Sequence, residues 1–221
     1  MTIDQHWQEW LKSYTGRNHG ELKQDLLVLF ITDSKRDGTF VEFGAMDGLR
    51  ASNTLLLERE YGWSGVLSEP NPRYNVAIPK HRTCRIDLRC VSDRTGATVK
   101  FQTADQGGWP GMVGHIYREA NSRGNVIEVE TVSLNDLLDQ NGAPHHVDYI
   151  SVDTDGSEPM IMQAFDFSKN SATIWSIEHN QEPWREDIRK LMESNGYRRV
   201  CDKHSGYDDW YVQATALEKF K

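Results

Sequence analysis

Four polar clusters, each closing a short apolar run, hold the residues able to do chemistry: Glu42 to Asp47, Glu69 to Asn71, Asp153 to Glu158, and Glu178-His179-Asn180. Carboxylates gathered at one edge repel one another, so stability does not account for their number. Any one cluster could cap a helix; four together favour a ligand site.

The first cluster lies in the turn Val41-Glu42-Phe43-Gly44-Ala45-Met46-Asp47-Gly48. Gly44 and Gly48 let backbone approach a ligand closely. The turn lacks the middle glycine of G-x-G-x-x-G, has no Gly-Lys-Ser/Thr, and sets Asp47 where a pyrophosphate would be repelled. A nucleoside with a cationic tail suits it better, which points to S-adenosylmethionine. Glu42 and Asp47 could attract the sulfonium and amino group. Glu69 could accept both ribose hydroxyls, a role shared with dinucleotide enzymes. Ala45, Ser52, Asn53, Asn71 and Ser92 complete the candidate cofactor set.

Methyl transfer to oxygen needs a base for the acceptor's proton. Asp153, Asp155 and His179 are the candidates, with His115 a weaker alternative; histidine titrates near neutrality. Asp153, Glu178 and Asn180 could instead hold Mg²⁺, which would lower the acceptor's pKa. Equally, Asp153 and Glu178 could cap helices or bind the cofactor's amino group. Trp109 in Gly107-Gly108-Trp109-Pro110-Gly111 belongs to a lid or to an ordinary loop.

The elements that must position these groups read as a helical lead-in over residues 1–38 and one α/β domain over 39–221. Helices are expected at Gln5 to Ser13 and Glu21 to Ile31. Short apolar runs then alternate with helical stretches, the pattern of β-α-β units. Strands are predicted at Thr39 to Phe43, Gly65 to Ser68, Arg85 to Val91, Val99 to Gln102, Val126 to Val132, Val147 to Val152, Thr173 to Ile177, Tyr197 to Cys201 and Asp209 to Val212. Helices are predicted from Ser52 to Tyr61, Leu134 to Leu138, Glu158 to Phe165 and Trp184 to Ser194.

The net charge of -8 disfavours nonspecific nucleic-acid binding. The basic stretch Pro79 to Arg85 reads as a solvated helix end. No run reaches the roughly 20 apolar residues of a membrane span, and Met1 to Trp7 does not resemble a signal peptide. Cys84, Cys90 and Cys201, odd in number and without ligand spacing, fit reduced thiols in the cytoplasm.

The blocks Phe40 to Gly48, Ser52-Asn53-Thr54, Glu58, Gly62-Trp63-Ser64-Gly65, Glu69-Pro70-Asn71-Pro72, Val132 to Leu138, Asp148 to Glu158, Glu178-His179-Asn180 and Gly196-Tyr197 together resemble the FkbM-type methyltransferases, in order over roughly residues 39 to 212. The resemblance implies a class I, Rossmann-like methyltransferase fold: a seven-stranded, mostly parallel sheet with its last strand reversed and helices on both faces. It also implies O-methylation of sugar or natural-product hydroxyls, hence a small-molecule or glycan acceptor. Asp155 stands where that family more often has Glu. A noncatalytic nucleoside- or partner-binding module is the alternative. A nucleic-acid methyltransferase is disfavoured, since Asp153-Thr154-Asp155-Gly156 replaces an Asn/Asp-Pro-Pro-aromatic motif.

Overall fold

The computed structural model describes residues 1–103, 114–116 and 125–221. Helix α1 (Ile3–Ser13) starts at a capping box, Thr2 accepting from the Gln5 N–H while the Gln5 side chain accepts from Thr2. Helix α2 is Gln24–Thr32, three residues shorter at its start than its apolar pattern predicts. The Asp25 carboxylate accepts the N–H groups of His19 and Gly20, which turns the preceding chain into a loop.

Strand β1 (Thr39–Phe43) leads through the glycine turn to α3 (Leu55–Tyr61) and β2 (Ser64–Ser68). Then come α4 (Ile78–His81), β3 (Arg85–Asp87), β4 (Cys90–Ser92), β5 (Thr98–Thr103), β6 (Gly114–Ile116) and β7 (Val126–Ser133). The second half alternates regularly: α5 (Leu134–Gln140), β8 (His146–Val152), α6 (Glu158–Ala164), β9 (Ser171–Glu178) and α7 (Arg185–Ser194). It closes with β10 (Tyr197–Val200), β11 (Asp208–Gln213) and a 3-10 helix, Ala214–Phe220.

The main sheet has seven strands in the order β10-β11-β9-β8-β1-β2-β3. The pairs from β9 through β8, β1 and β2 to β3 are parallel, and β11 runs antiparallel to both its neighbours. The mostly parallel sheet is the one the alternating pattern predicts, and the reversed last strand the one the family resemblance implies. The run from Arg85 to Val91, predicted as one strand, is two strands in different sheets. Asp87 accepts the Arg89 N–H and also binds the Arg89 guanidinium, and this local turn breaks the run. Beyond the break, β4 joins β7, β5 and β6 in a second sheet of four strands that the sequence did not reveal.

Apolar side chains cover both faces of the main sheet. On one, Trp7 of α1 and Leu27 and Phe30 of α2 pack with Phe40, Tyr149, Ile174 and Trp210. On the other, Leu137, Ile161 and Ile188 from α5, α6 and α7 meet Val41, Ile150, Trp175 and Ile177. The parallel strands therefore present their carboxyl ends along one edge, between two packed helical layers.

Candidate active site

At that edge β1 and β8 are in register, Phe43 opposite Val152. Gly44, the next residue, has φ +80°, and a Cβ there would stand 1.8 Å from the Asp153 carbonyl oxygen. Only glycine fits. Beside it opens a shallow cleft bounded by Gly44, Glu69, Cys90, Phe101, Ile116 and Thr154. The second sheet thus supplies one wall, through Phe101 and Ile116.

One oxygen of Glu69 accepts the Met46 N–H at 2.9 Å and the other the Asn71 N–H at 2.8 Å. Its carboxylate therefore ties the glycine turn to the loop after β2 and keeps lone pairs for a ligand. Burial pushes its pKa up to about 7, against the pull of those two N–H groups. A carboxylate acceptor, a glycine floor and apolar walls fit an adenosyl group.

The remaining predicted cofactor residues lie around this cleft without bounding it. Both Glu42 oxygens are engaged: they accept from Ser52 Oγ at 2.9 Å, from the Asn53 N–H at 2.8 Å and from Thr54 Oγ1. Asn53 Nδ2 continues to Ser151 Oγ at 2.9 Å. Asp47 binds its own turn, accepting the N–H groups of Leu49 and Arg50 and the Arg50 side chain. Burial raises the Asp47 pKa, but these Arg50 and Leu49 contacts outweigh it and hold the carboxyl below its ordinary value. Ala45 is buried in the core beneath the turn. Asn71 Oδ1 accepts the Arg73 N–H, and Ser92, on β4, donates to Asp93.

Arg82 corrects the reading of the basic stretch as a solvated helix end. Its side chain is 0% exposed, with Nε 2.7 Å from Glu58 and Nη1 3.5 Å from Glu42. Nothing in its flanking residues signals burial, since its partners come from β1, α3 and the turn between them.

A second group collects at the ends of β8, β9 and β11. The Asp153 and Glu178 carboxylates interact electrostatically, with Asn180 and the Asp155 backbone beside Glu178, and Glu178 Oε2 is buried with no hydrogen-bond partner among the described residues. Asp153 reaches solvent, yet the surrounding protein first, and then the Glu178, Asp208, Asp155 and Glu158 carboxylates, push its pKa well above the carboxylate range. Burial likewise raises Glu178, and it lifts Glu158 and Asp208 to about 7. Gln24 of α2 reaches this group by donating to Asp208 at 2.9 Å. Asp155 (φ 55°) and Asn180 (φ 44°) hold left-handed conformations, which short polar side chains adopt most readily.

His179 lies apart from this pair. It borders a separate small cavity with Trp184, Arg185, Ile188 and Asp209. Its Nδ1 accepts the Gln181 N–H, and Nε2 is 3.8 Å from Asp209. Burial lowers its pKa, only partly offset by Asp209. Of the residues predicted to hold Mg²⁺, Asp153 and Glu178 lie close enough to perturb one another's titration, with Asn180 beside Glu178. Among the described residues no group of three or more His, Cys, Asp or Glu could hold a metal ion. Trp109, the segment 107–111 and the His115 side chain lie outside the described residues.

The seven-stranded, mostly parallel sheet with one reversed strand is the class I methyltransferase fold. The chain belongs to the FkbM methyltransferase family: the family model for the Methyltransferase FkbM domain matches residues 42–199. Among solved structures it is similar to a precorrin-6y C5,15-methyltransferase from Geobacter metallireducens GS-15, with 13% identity, 85% of each chain covered and a TM-score of 0.44. It is also similar to a TehB-like SAM-dependent methyltransferase from Corynebacterium glutamicum ATCC 13032, with 8% identity, 95% of each chain covered and a TM-score of 0.45. No curated protein matches significantly. Among the described residues no helix is long and apolar enough to cross a membrane.

Proposed function

We propose that the protein methylates a hydroxyl oxygen of a small molecule or glycan, with Asp153 as the general base. The observation that supports this reading is the backbone contact of Asp153 with Gly44, which sets the Asp153 carboxylate, its pKa raised by burial and by neighbouring Glu178, beside the glycine turn. A carboxylate whose pKa is raised is a better proton acceptor than an ordinary one.

Bound S-adenosylmethionine supplies an electrophilic methyl group on a sulfonium. The chain's own residues do the rest. Gly44 leaves room for close approach, and Glu69 accepts from the ribose hydroxyls. Asp153, unprotonated, takes the acceptor's hydroxyl proton as the oxygen bonds to the methyl carbon and the carbon–sulfur bond breaks to leave a neutral thioether; neighbouring Glu178 raises the basicity of Asp153. The excess of acceptor oxygens, with Asp208 and Glu158 nearby, suits a polyhydroxylated molecule that brings its own donors. It does not suit a phosphate backbone.

Residues 1–38 are assigned to one compact unit with the domain 39–221. Support comes from Trp7, whose ring lies edge-on to Trp210 of β11 at 6.0 Å. A reducing, cytoplasmic setting is supported by three free cysteines, two of them buried.

The test is transfer of labelled methyl from S-adenosylmethionine into a panel of sugars and other hydroxylated acceptors, with and without EDTA. Labelling of a hydroxyl oxygen that is unchanged by EDTA is expected. Labelling confined to nitrogen or carbon acceptors would overturn the O-methylation reading, and loss of transfer in EDTA would replace the Asp153 base with a metal.

A further inference from the structure

Arg82 is placed to shape the turn that holds the cofactor. Its Nη1 donates to Ser52 Oγ at 3.0 Å and to the Gly48 carbonyl at 3.4 Å, and its Nη2 to Thr54 Oγ1 at 2.7 Å. Nε is anchored outside the turn, on Glu58 of α3. The same guanidinium lies 5.5 Å from the centre of the Phe40 ring of β1. Its stem fills the space above Gly48, where a Cβ would come within 2.8 Å of Arg82 Cγ.

Ser52 and Thr54 both donate to Glu42, so strand end, turn and helix start are bound into one unit around a single guanidinium. A buried ion pair of this kind contributes little net stability relative to apolar residues of the same volume. What the planar fork adds is geometry, because it fixes several acceptors at once, which an ammonium cannot do. We propose that Arg82 is a positioning residue for S-adenosylmethionine: it sets the shape of the Gly44-to-Thr54 turn without touching the cofactor. This rests on the reading that the turn holds that molecule.

The experiment measures the S-adenosylmethionine dissociation constant by calorimetry, well below the melting temperature of each variant, and the melting temperature itself by circular dichroism. Wild type must bind; failure to bind overturns the reading of the turn, not the role of Arg82 alone. Arg82→Lys is expected to weaken binding about tenfold or more while the protein stays folded. Thr54→Val, which removes one arm of the fork without burying a lone charge, should weaken it in the same direction and serves where Arg82→Ala does not fold. Where Arg82→Ala folds, added methylguanidinium should restore affinity. Trp7→Ala, a purely structural lesion remote from the turn, should lower the melting temperature and keep wild-type affinity. Wild-type affinity in both Arg82→Lys and Thr54→Val overturns the proposal. So does a loss that merely tracks the melting temperature in all variants, Trp7→Ala included.

Discussion

Gly44 and Asp153 are in van der Waals contact through their backbones, so closely that a methyl group on Gly44 would stand 1.8 Å from the Asp153 carbonyl oxygen. The turn assigned to the cofactor and the strand end assigned to the base are therefore one rigid junction. Its geometry cannot relax locally, because β1 and β8 are paired along their whole shared length.

Gly44→Ala should break this junction. The new side chain meets backbone, and the residue already sits at φ +80°, so the substitution is expected to cost about 1–3 kcal/mol and to displace the turn. Calorimetry on the folded variant should show adenosylmethionine affinity lowered by roughly tenfold or more. Wild-type affinity would mean the turn does not form the cofactor floor.

The Asp153–Glu178 pair makes a kinetic prediction. Asp153→Asn should lower kcat by about 10²- to 10⁴-fold while adenosylmethionine binding changes little. A base must be unprotonated to act, so wild-type kcat/KM should rise with pH, with its acidic limb above the ordinary carboxylate range. Glu178→Gln removes the neighbouring charge and should move that limb to lower pH. A limb that stays put would dissociate Glu178 from the titration.

Stability should also depend on pH, in an unusual direction. Glu69, Glu158 and Asp208 have folded-state values near 7, above their ordinary 4.5 or 3.8. A raised carboxyl contributes stability that is fully present below the unfolded value and is lost as pH rises through the folded one. Asp47, Glu58 and Asp87 are lowered, so their contribution is lost only in acid. The ligand-free protein should therefore melt at a higher temperature near pH 5 than at pH 8, the difference being on the order of a few kcal/mol. Thermal scans across this range would contradict the buried-carboxylate account if the melting temperature rose towards pH 8.

Much of this arrangement is legible in the sequence where local pattern decides. Strand β1 was predicted at its observed bounds, and β8 within one residue, because each is an apolar run stopped by glycine or acidic residues. The glycine turn and Glu69 were legible for the same reason, as chemistry at strand ends. Three features were not. Arg82 looks like any helix-end cation until distant Glu42 and Glu58 surround it. Asp87 folds onto Arg89 and splits an apolar run that periodicity reads as one strand. Glu178-His179-Asn180 reads as one cluster, but successive residues at a strand end face opposite sides. Glu178 therefore meets Asp153, while His179 turns towards Arg185 and Asp209. The second sheet was hidden because its short strands, β4 and β6, acquire partners only through long-range pairing.

The central claim, that the Gly44 turn and Glu69 hold S-adenosylmethionine, is tested most directly by calorimetric titration of the wild-type protein and Glu69→Ala with S-adenosylmethionine and with NAD. Wild type is expected to bind S-adenosylmethionine and not NAD, and Glu69→Ala to bind it about 10- to 100-fold more weakly, as befits lost hydrogen bonds to a charged group. Binding of NAD in preference, or equal S-adenosylmethionine affinity in both proteins, would contradict it.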